Sequence, residues 1–412
     1  MFQIRGGETL DLLRFCNSSL KTSKIIAIFA FGLGIGTSSF GSKITYKDLL
    51  LPEDIQPGYK APLKISDRQL REDKEILLLG LKKGYAGKYI LSEEVLSQLY
   101  SDIESIESLS TPKEFCQKIS KALAKVPDKH LKASLVGEWC HEVSNPVPTV
   151  GESLSRQKDV VWWVENRTIK SKKVLYISIS SFPNHSSPVW DGFLEKVKAE
   201  VNSSEAVIFD LRGNGGGDDT TGYRLSAIFH KVERDSDFPN PYWKQITRQT
   251  SETLALKMNF AESGIRWGWE PKSFFVDTKH ELEKKLKLAL NGELPEEHEV
   301  TIDPIHKDWK FSGYKIPVYI LMDERCGSSG ESTIDSFEFN PYVKKVGRHT
   351  SGALHFGNVS GLFLKNSKVR VQIATHANFY RDGRFVEKKG IPPDIEVPLG
   401  VDALDYLEEN IF

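Results

Sequence analysis

Four glycines in the segment DLRGNGGG, residues 210–217, could bind an anion. They follow a β-branched run typical of a buried strand and precede a helical pattern, so their backbone N–H groups could converge at a helix N-terminus. A phosphate site is not supported, because neither a Gly-Lys-Ser/Thr ending nor G-x-G-x-x-G spacing is present. These residues leave two interpretations open: an oxyanion hole for acyl transfer, or a tight structural turn.

A serine-containing turn, ERCGSSGE at residues 324–331, could supply a nucleophile. It follows the predicted strand 317–322 and leads into a predicted helix, so a serine there would lie at the positive end of the helix dipole. The pattern is not G-x-S-x-G and therefore does not support an α/β-hydrolase. Helix capping explains the same serines. Taken alone, the segment favours helix capping over a nucleophile.

Together the two segments resemble the tail-specific, or C-terminal processing, serine peptidases. In that family a strand, a DLRxNxGG turn and a later S-A-x-E turn build the active site. The resemblance implies that Ser328 is the nucleophile, because it lies three residues before Glu331. It also implies an oxyanion hole made by backbone N–H groups of Gly215 or Gly216 and of Ser329.

The general base is implied by a departure from the tail-specific pattern. That branch uses a Ser-Lys dyad, and here the lysine position holds Ala353, which cannot act as a base. The chain is more similar to the tricorn-like branch, which uses Ser, His and Glu and also resembles interphotoreceptor retinoid-binding protein. Its motifs match PDKH at 127–130 and FVEKKGIPPDIEV at 385–397. The resemblance therefore implies His130 as the base and Glu387 as the group that holds the imidazole or polarises its surroundings.

Two classes of function follow from this reading. The first is an exported serine peptidase that acts on peptides or unfolded protein, and the alternative is a non-catalytic binder of hydrophobic ligands or peptides on the same fold. We expect no cofactor and no metal, because no histidine pair has H-x-x-x-H spacing with an intervening glutamate. His355, two residues past the vacant lysine position, is the rival base, and a surface-loop histidine is its simpler interpretation.

Strands and helices alternate around these motifs. Helical patterns between residues 66 and 135 predict an N-terminal helical bundle, and residues 136–412 are the predicted catalytic domain. The fold class is α/β with a mixed sheet, and the family resemblance implies a crotonase-like or ClpP-like β-α superhelix. Strands are predicted at 174–179, 206–211, 317–322 and 343–347, with helices at 187–201, 220–230 and 329–339.

An aromatic-rich insertion at residues 232–312 interrupts this alternation and is the predicted cap region, with one helix near 279–291. Alternating residues at 362–381 predict a β-hairpin. Tail-specific enzymes carry a PDZ domain before the first catalytic strand. Only about 40 residues separate His130 from Val174, fewer than the roughly 50 of a small domain, so we predict no PDZ domain.

The first 42 residues predict a secretory signal peptide and its leader. An uncharged apolar run at 25–36 follows Lys21 and Lys24 and precedes small residues. It is too short to span ~30 Å of hydrocarbon comfortably, so we expect cleavage, a periplasmic or secreted protein, and no stable membrane span afterwards. A buried core helix is the alternative. Residues 43–65 are the predicted linker.

The overall composition restricts the classes of binding partner that we expect. The chain has 412 residues and a formal net charge of −1, which gives no basic excess for nucleic-acid binding. Four cysteines without a C-x-x-C pair exclude a disulfide scaffold. Cys116 and Cys140 could pair in an oxidising compartment. The expected partner is a peptide or an unfolded protein, and the sequence gives no oligomeric state.

Overall fold

The computed structural model describes residues 44–107, 111–140, 161–233, 241–301 and 310–412. The predicted signal peptide and leader at 1–42 lie outside the described residues. Within those ranges, no helix has both the length and the apolar character needed to cross a bilayer.

Helices alternate with strands along most of the chain. The three helices predicted between residues 66 and 135 are present, and the third begins as its sequence predicts: Thr111 accepts from the amide of Glu114, and Pro112 occupies the first helical position. The α-helices of the described ranges are α1 (Asp67–Leu79), α2 (Glu93–Glu104), α3 (Pro112–Ala124), α4 (Pro188–Val201), α5 (Asp219–His230), α6 (Ser251–Trp267), α7 (Lys272–Leu290), α8 (Ser329–Ser336) and α9 (Ala403–Asn410).

One sheet is antiparallel throughout and has the order β2-β1-β11-β6-β7, with β10 also paired to β11. The predicted hairpin at 362–381 is the β10–β11 pair. The strands are β1 (Ala133–Leu135), β2 (Glu138–Trp139), β6 (Tyr242–Arg248), β7 (Glu297–Thr301), β10 (Phe356–Phe363) and β11 (Val369–Tyr380).

The second sheet is mixed and has the order β12-β9-β8-β5-β4-β3. Its strands are parallel from β12 to β4, and only β3 runs antiparallel at the edge. The predicted α/β class with a mixed sheet is confirmed. The strands are β3 (Trp162–Ile169), β4 (Lys172–Ile179), β5 (Ala206–Asp210), β8 (Val318–Met322), β9 (Val343–Gly347) and β12 (Ile395–Glu396).

Three apolar clusters account for most of the packing. Helices α1–α3 pack against the antiparallel sheet, where Phe115 and Ile373 are both fully buried. Helices α4, α5 and α8 cover one face of the mixed sheet, and α9 covers the other. Because the sheet is buried on both faces, its central strands are continuous apolar runs without alternation.

Two regions are more structured than their sequences indicate. Residues 44–65, within the predicted linker, include a short 3₁₀ helix at Tyr46–Leu49, and Ile55 packs with Phe363. The described part of the insertion at 232–312 holds two helices, α6 and α7, where one was predicted near 279–291. Strands β6 and β7 of this region join the antiparallel sheet.

Cys116 and Cys140 form a disulfide that links α3 to the end of the β1–β2 hairpin. The bridge joins residues 24 positions apart and encloses the segment that carries His130. Cys326 is a buried free cysteine.

Candidate functional site

Two neighbouring parallel strands bring the glycine run and the serine turn together. Asp210 at the end of β5 lies opposite Leu321 in β8. Because parallel strands have their carboxyl ends at the same edge, the two following turns start side by side. The amide of Gly327 donates to the carbonyl oxygen of Asn214 at 2.8 Å. This bond joins one turn to the other directly.

Ser328 occupies a strained turn between β8 and α8. Its φ of 53° and ψ of −123° lie outside the regions favoured by non-glycine residues, at a cost of about 1–3 kcal/mol. Its amide donates to Oε2 of Glu331 at 3.1 Å. The Oγ atom lies 3.2 Å from Nε2 of His130. The structure therefore brings together the predicted nucleophile and the predicted base, which are 198 residues apart.

A buried aspartate shapes the loop that carries His130. Oδ1 of Asp128 accepts from the amides of His130 at 2.7 Å and Leu131 at 3.2 Å. Oδ2 accepts from the hydroxyl of Tyr85 at 2.7 Å. These bonds hold the backbone of the loop after α3, so the imidazole position is fixed from the main chain outward.

Burial sets the protonation state of His130. Burial, helped by the positive charge of Lys132 and opposed by the backbone of Phe356, lowers the pKa of the imidazole to about 4. The ring is therefore neutral at neutral pH. With Nε2 facing the serine hydroxyl, a neutral imidazole can accept the Oγ proton. The Nδ1 atom is buried and has no hydrogen bond of standard geometry within the described residues.

Glu387 lies beside His130 without a hydrogen bond to its ring. Its Oε1 accepts from the amide of Lys129 at 2.8 Å. Its Oε2 accepts from the amides of Leu354 at 3.1 Å and His355 at 3.0 Å. The carboxylate thus joins the segment before His130 to the loop that precedes β10. The orienting role predicted for Glu387 remains a prediction. In this geometry the carboxylate could position His130 through its hydrogen bond to the main chain at Lys129.

Burial raises the pKa of Glu387 to about 8, and the neighbouring negative charge of Asp128 adds to the shift. Burial raises the pKa of Asp128 to about 6, while the hydrogen bond from Tyr85 lowers it. Asp128, His130 and Glu387 each place a potential ligand atom within 4.8 Å of the other two. Within the described residues, this trio is the set of side chains that could hold a metal ion.

The glycine run approaches the nucleophile most closely at Gly216. A Cβ added there would lie 2.8 Å from Cβ of Ser328 and 3.2 Å from the amide nitrogen of Ser329, and the φ of 109° also disfavours a side chain. The Gly216 amide, however, donates to Oδ1 of Asn214 at 2.8 Å. It is therefore engaged within the turn, whereas the amides of Gly215 and Ser329 make no hydrogen bond to a described residue.

Glu331 connects the nucleophile to the loop in which a dyad lysine would lie. Its fully buried carboxylate accepts from the hydroxyl of Thr350 and from the amides of Gly352 at 2.7 Å and Ala353 at 2.8 Å. The same carboxylate accepts from the amide of Ser328. Glu331, the residue that locates the nucleophile in the sequence motif, is thus a buried hydrogen-bond acceptor that holds this part of the structure together.

His355, the rival base, is buried and not on a surface loop as its simpler interpretation held; only 4% of it is exposed. Nδ1 lies 3.1 Å from the carbonyl oxygen of Asn378 and Nε2 accepts from the amide of Val386 at 3.1 Å. A carbonyl can only accept, so Nδ1 carries the proton and both ring nitrogens are engaged. This ring stabilises the Glu387 loop and is not placed to act on Ser328.

Sequence reasoning did not single out Tyr85 or Asn214, which hold the histidine loop and the glycine turn. Asn214 lies inside the glycine motif, and Asp128, the partner of Tyr85, lies inside the PDKH motif at 127–130. The motifs therefore offered a signal for Asn214 and for Asp128. Tyr85 lies 43 residues before Asp128. Local sequence carries no signal for a contact of that separation.

The family model Peptidase family S41 matches residues 173–397. No curated protein sequence matches the chain. A crystal structure of a candidate peptidase from Parabacteroides merdae ATCC 43184 is 16% identical, with a TM-score of 0.51 over 82% of this chain and 92% of that chain. Mature CPAF in complex with lactacystin is 13% identical, with a TM-score of 0.50 over 83% of this chain and 97% of that chain. These likenesses concern the fold alone.

Proposed function

This chain belongs to peptidase family S41 and is a serine peptidase, and we propose that it hydrolyses peptide bonds with Ser328 as nucleophile and His130 as general base. The observation that carries the proposal is the 3.2 Å approach of the Ser328 Oγ to Nε2 of His130. A neutral imidazole at this distance takes the hydroxyl proton as Oγ attacks the carbonyl carbon, and later returns it to the leaving amine.

The oxyanion of the tetrahedral intermediate is bound, in this proposal, by the amides of Ser329 and Gly217. Ser329 is the first residue of α8, at the positive end of the helix dipole. The carbonyl of Gly216 accepts from the amide of Phe182 at 2.9 Å and from the hydroxyl of Ser181 at 3.2 Å. In a trans peptide the next N–H points the opposite way, so the Gly217 amide is directed away from these donors.

The same argument weighs against the amide of Gly215. The carbonyl of Asn214 faces the nucleophile turn, where it accepts from the amide of Gly327. The Gly215 N–H of that peptide therefore points away from the turn. With the Gly216 amide engaged by Asn214, we propose that Gly216 contributes by its lack of a side chain.

Glu387 and Asp128 are proposed to stabilise the imidazolium that forms during the reaction. Both carboxyl groups have a potential ligand atom within 4.8 Å of a ring nitrogen. A positive ring favours their charged forms, and the charged forms in turn favour the positive ring. Glu387 also holds the amide of Lys129, next to His130, so it positions the base through the main chain.

Hydrolysis of an unfolded protein tests the proposal. We expect fragments from the wild-type protein and a loss of about 10³-fold or more in rate for Ser328→Ala. Ser332→Ala is the matched control, because it removes a hydroxyl one turn further along α8 that contacts the carbonyl oxygen of Ser328 at 3.4 Å and not the imidazole. Equal rates for wild-type and Ser328→Ala proteins would contradict the assignment of the nucleophile.

Export is a second part of the proposal. The apolar run at 25–36 supports it, and so does the Cys116–Cys140 disulfide, because such bonds persist in oxidising compartments. N-terminal sequencing of the protein made in a bacterial host with its own leader tests this. We expect a new N-terminus near residue 43, and full-length protein confined to the cytoplasm would contradict export.

A further inference from the structure

Two buried carboxyl groups, those of Asp128 and Glu387, lie close to the His130 ring. Nε2 is turned to the serine hydroxyl, which leaves Nδ1 as the buried nitrogen without a standard hydrogen bond within the described residues. Asp128 and Glu387 are each only 2% exposed. One ligand atom from each of the three residues lies within 4.8 Å of the others.

Each carboxylate keeps one oxygen position for a further partner. A carboxylate oxygen accepts about two hydrogen bonds. Among the described residues, Oδ1 of Asp128 already accepts from two amides, but Oδ2 accepts only from Tyr85. In the same part of the chain, Oε2 of Glu387 also accepts from two amides, but Oε1 accepts only from Lys129. The free positions are therefore on Oδ2 and Oε1.

No lysine or arginine of the described ranges forms an ion pair with either carboxylate. Lys388, which follows Glu387 directly, donates its Nζ to the carbonyl oxygens of Ala124 at 2.9 Å and Val126. Two acidic groups thus share a buried space, and the Lys388 ammonium group is hydrogen-bonded to carbonyl oxygens instead of to either carboxylate. A divalent cation bound between them would relieve their repulsion.

We propose that Oδ2 of Asp128, Nδ1 of His130 and Oε1 of Glu387 form an inhibitory zinc site. One imidazole nitrogen and two carboxylate oxygens suit Zn²⁺, whereas Mg²⁺ and Ca²⁺ prefer oxygen ligands alone. Ligand atoms at about 2.1 Å from a tetrahedral zinc lie roughly 3.4 Å apart, so the side chains must close by about 1 Å. The ion is an inhibitor in this proposal and not a cofactor.

The inhibitory effect rests on the proposed function and follows from the two nitrogens of one ring. Zinc takes the lone pair of Nδ1, so the single proton of the neutral imidazole must reside on Nε2. Nε2 then donates to the Oγ of Ser328 and has no lone pair with which to accept its proton. Nucleophile activation is lost while the serine itself stays uncovered.

Calorimetric titration of Zn²⁺ into the untagged Ser328→Ala protein tests the site without requiring activity. We expect one ion bound per chain, and at least tenfold weaker binding after Glu387→Gln and, independently, after Asp128→Asn, with circular dichroism to verify folding. His298→Gln is the matched control, because His298 lies exposed on β7 between Glu297 and Glu299. Binding that disappears in the control but survives in both site variants would overturn the proposal.

Peptide hydrolysis by the wild-type enzyme provides the second measurement. Zn²⁺ at roughly ten times its measured Kd is expected to lower kcat/KM about tenfold, with recovery on addition of EDTA and no effect of Mg²⁺ at the same concentration. Hydrolysis that is insensitive to zinc would overturn the inhibitory site and leave the peptidase assignment intact. Failure to hydrolyse any peptide without zinc would instead refute the proposed function, and the calorimetry would still decide the metal site.

Discussion

At the scale of single residues, the site depends on a histidine that is kept neutral by its surroundings. Burial holds the pKa of His130 near 4 while the pKa of the neighbouring Glu387 is raised to about 8. Groups with oppositely shifted pKa values in one cleft are typical of acid–base sites. The imidazole of His130 is therefore neutral, and able to accept a proton, at neutral pH in the free enzyme.

This state of His130 predicts an unusual pH profile. The base must be neutral to accept the Ser328 proton, and its folded-state pKa lies below the usual 6.5. Protonation of the imidazole should therefore lower activity only as pH falls toward about 4, whereas protonation of Glu387 and Asp128, whose pKa values are raised to about 8 and about 6, lowers it at higher pH. The measurement is kcat/KM against pH with a peptide that has no ionisable side chain. An acid limb centred near 6.5 that is unchanged in both Glu387→Gln and Asp128→Asn would contradict the burial of the imidazole.

Substitution of two adjacent glycines tests whether the close approach of Gly216 to the nucleophile is important for activity. We expect Gly216→Ala to lower kcat by 10²-fold or more, because the new Cβ would press on Ser328 and Ser329 at a φ of 109°. Gly215→Ala is the control, since its Cβ would meet no atom within 4 Å. The two variants are compared by kcat and by urea unfolding. Similar activity in both would show that the close approach is unimportant.

At the scale of elements, local sequence predicted the parts of the fold that carry the motifs. Strand β9 at 343–347 and helix α5 at 219–230 match their predicted bounds closely, because each has strong periodicity and clear turn residues beside it. Helix α6 was missed. Its apolar face is made partly of Ala255, Ala261 and Gly264, which give little hydrophobic contrast in a sequence.

The Cys116–Cys140 disulfide restrains the segment that carries the proposed general base, His130. It closes a 24-residue separation around the loop that carries His130, so its loss should cost about 3 kcal/mol through greater freedom of the unfolded chain. Urea unfolding with and without dithiothreitol measures this difference. Cys140→Ser should reproduce the loss without reductant, and Cys326→Ser should leave the effect of dithiothreitol on unfolding unchanged. Unchanged unfolding midpoints on reduction would contradict a stabilising bridge.

At the scale of the whole molecule, the site is assembled from segments at opposite ends of the chain. The family resemblance implied Ser328, His130 and Glu387, and the fold brings the first two into contact. The sequence could not indicate that Glu387 reaches the main chain of Lys129 instead of the imidazole, because such a contact depends on how two distant loops pack. For the same reason, the sequence could not indicate that Tyr85 contacts Asp128.

Buried ionisable groups away from the site make stability depend on pH with predictable signs. The pKa of His230 is lowered by burial to about 4, so its contribution is complete above 6.5 and lost as pH falls toward 4. His230→Gln should therefore gain stability relative to the wild-type protein across that window. Urea unfolding at pH 7, 6, 5 and 4 measures the trend, and a difference independent of pH would contradict it.

Asp335→Asn is the control of opposite sign. Burial raises the pKa of Asp335 to about 7, so the wild-type protein loses stability as pH rises between the unfolded and folded values. This variant should gain relative to the wild type with rising pH. A gain with falling pH would contradict the assigned protonation state of this carboxyl group.

The central claim is that Ser328 is a nucleophile activated by His130, and covalent labelling tests it most directly. A fluorophosphonate probe, followed by intact-mass and peptide mass spectrometry, should add one adduct per chain at Ser328. The rate should fall at least 10²-fold in His130→Ala and remain within a few-fold of wild type in His349→Ala, a histidine for which no contact with Ser328 is found. Labelling at another residue, or a rate unchanged in His130→Ala, would contradict the account.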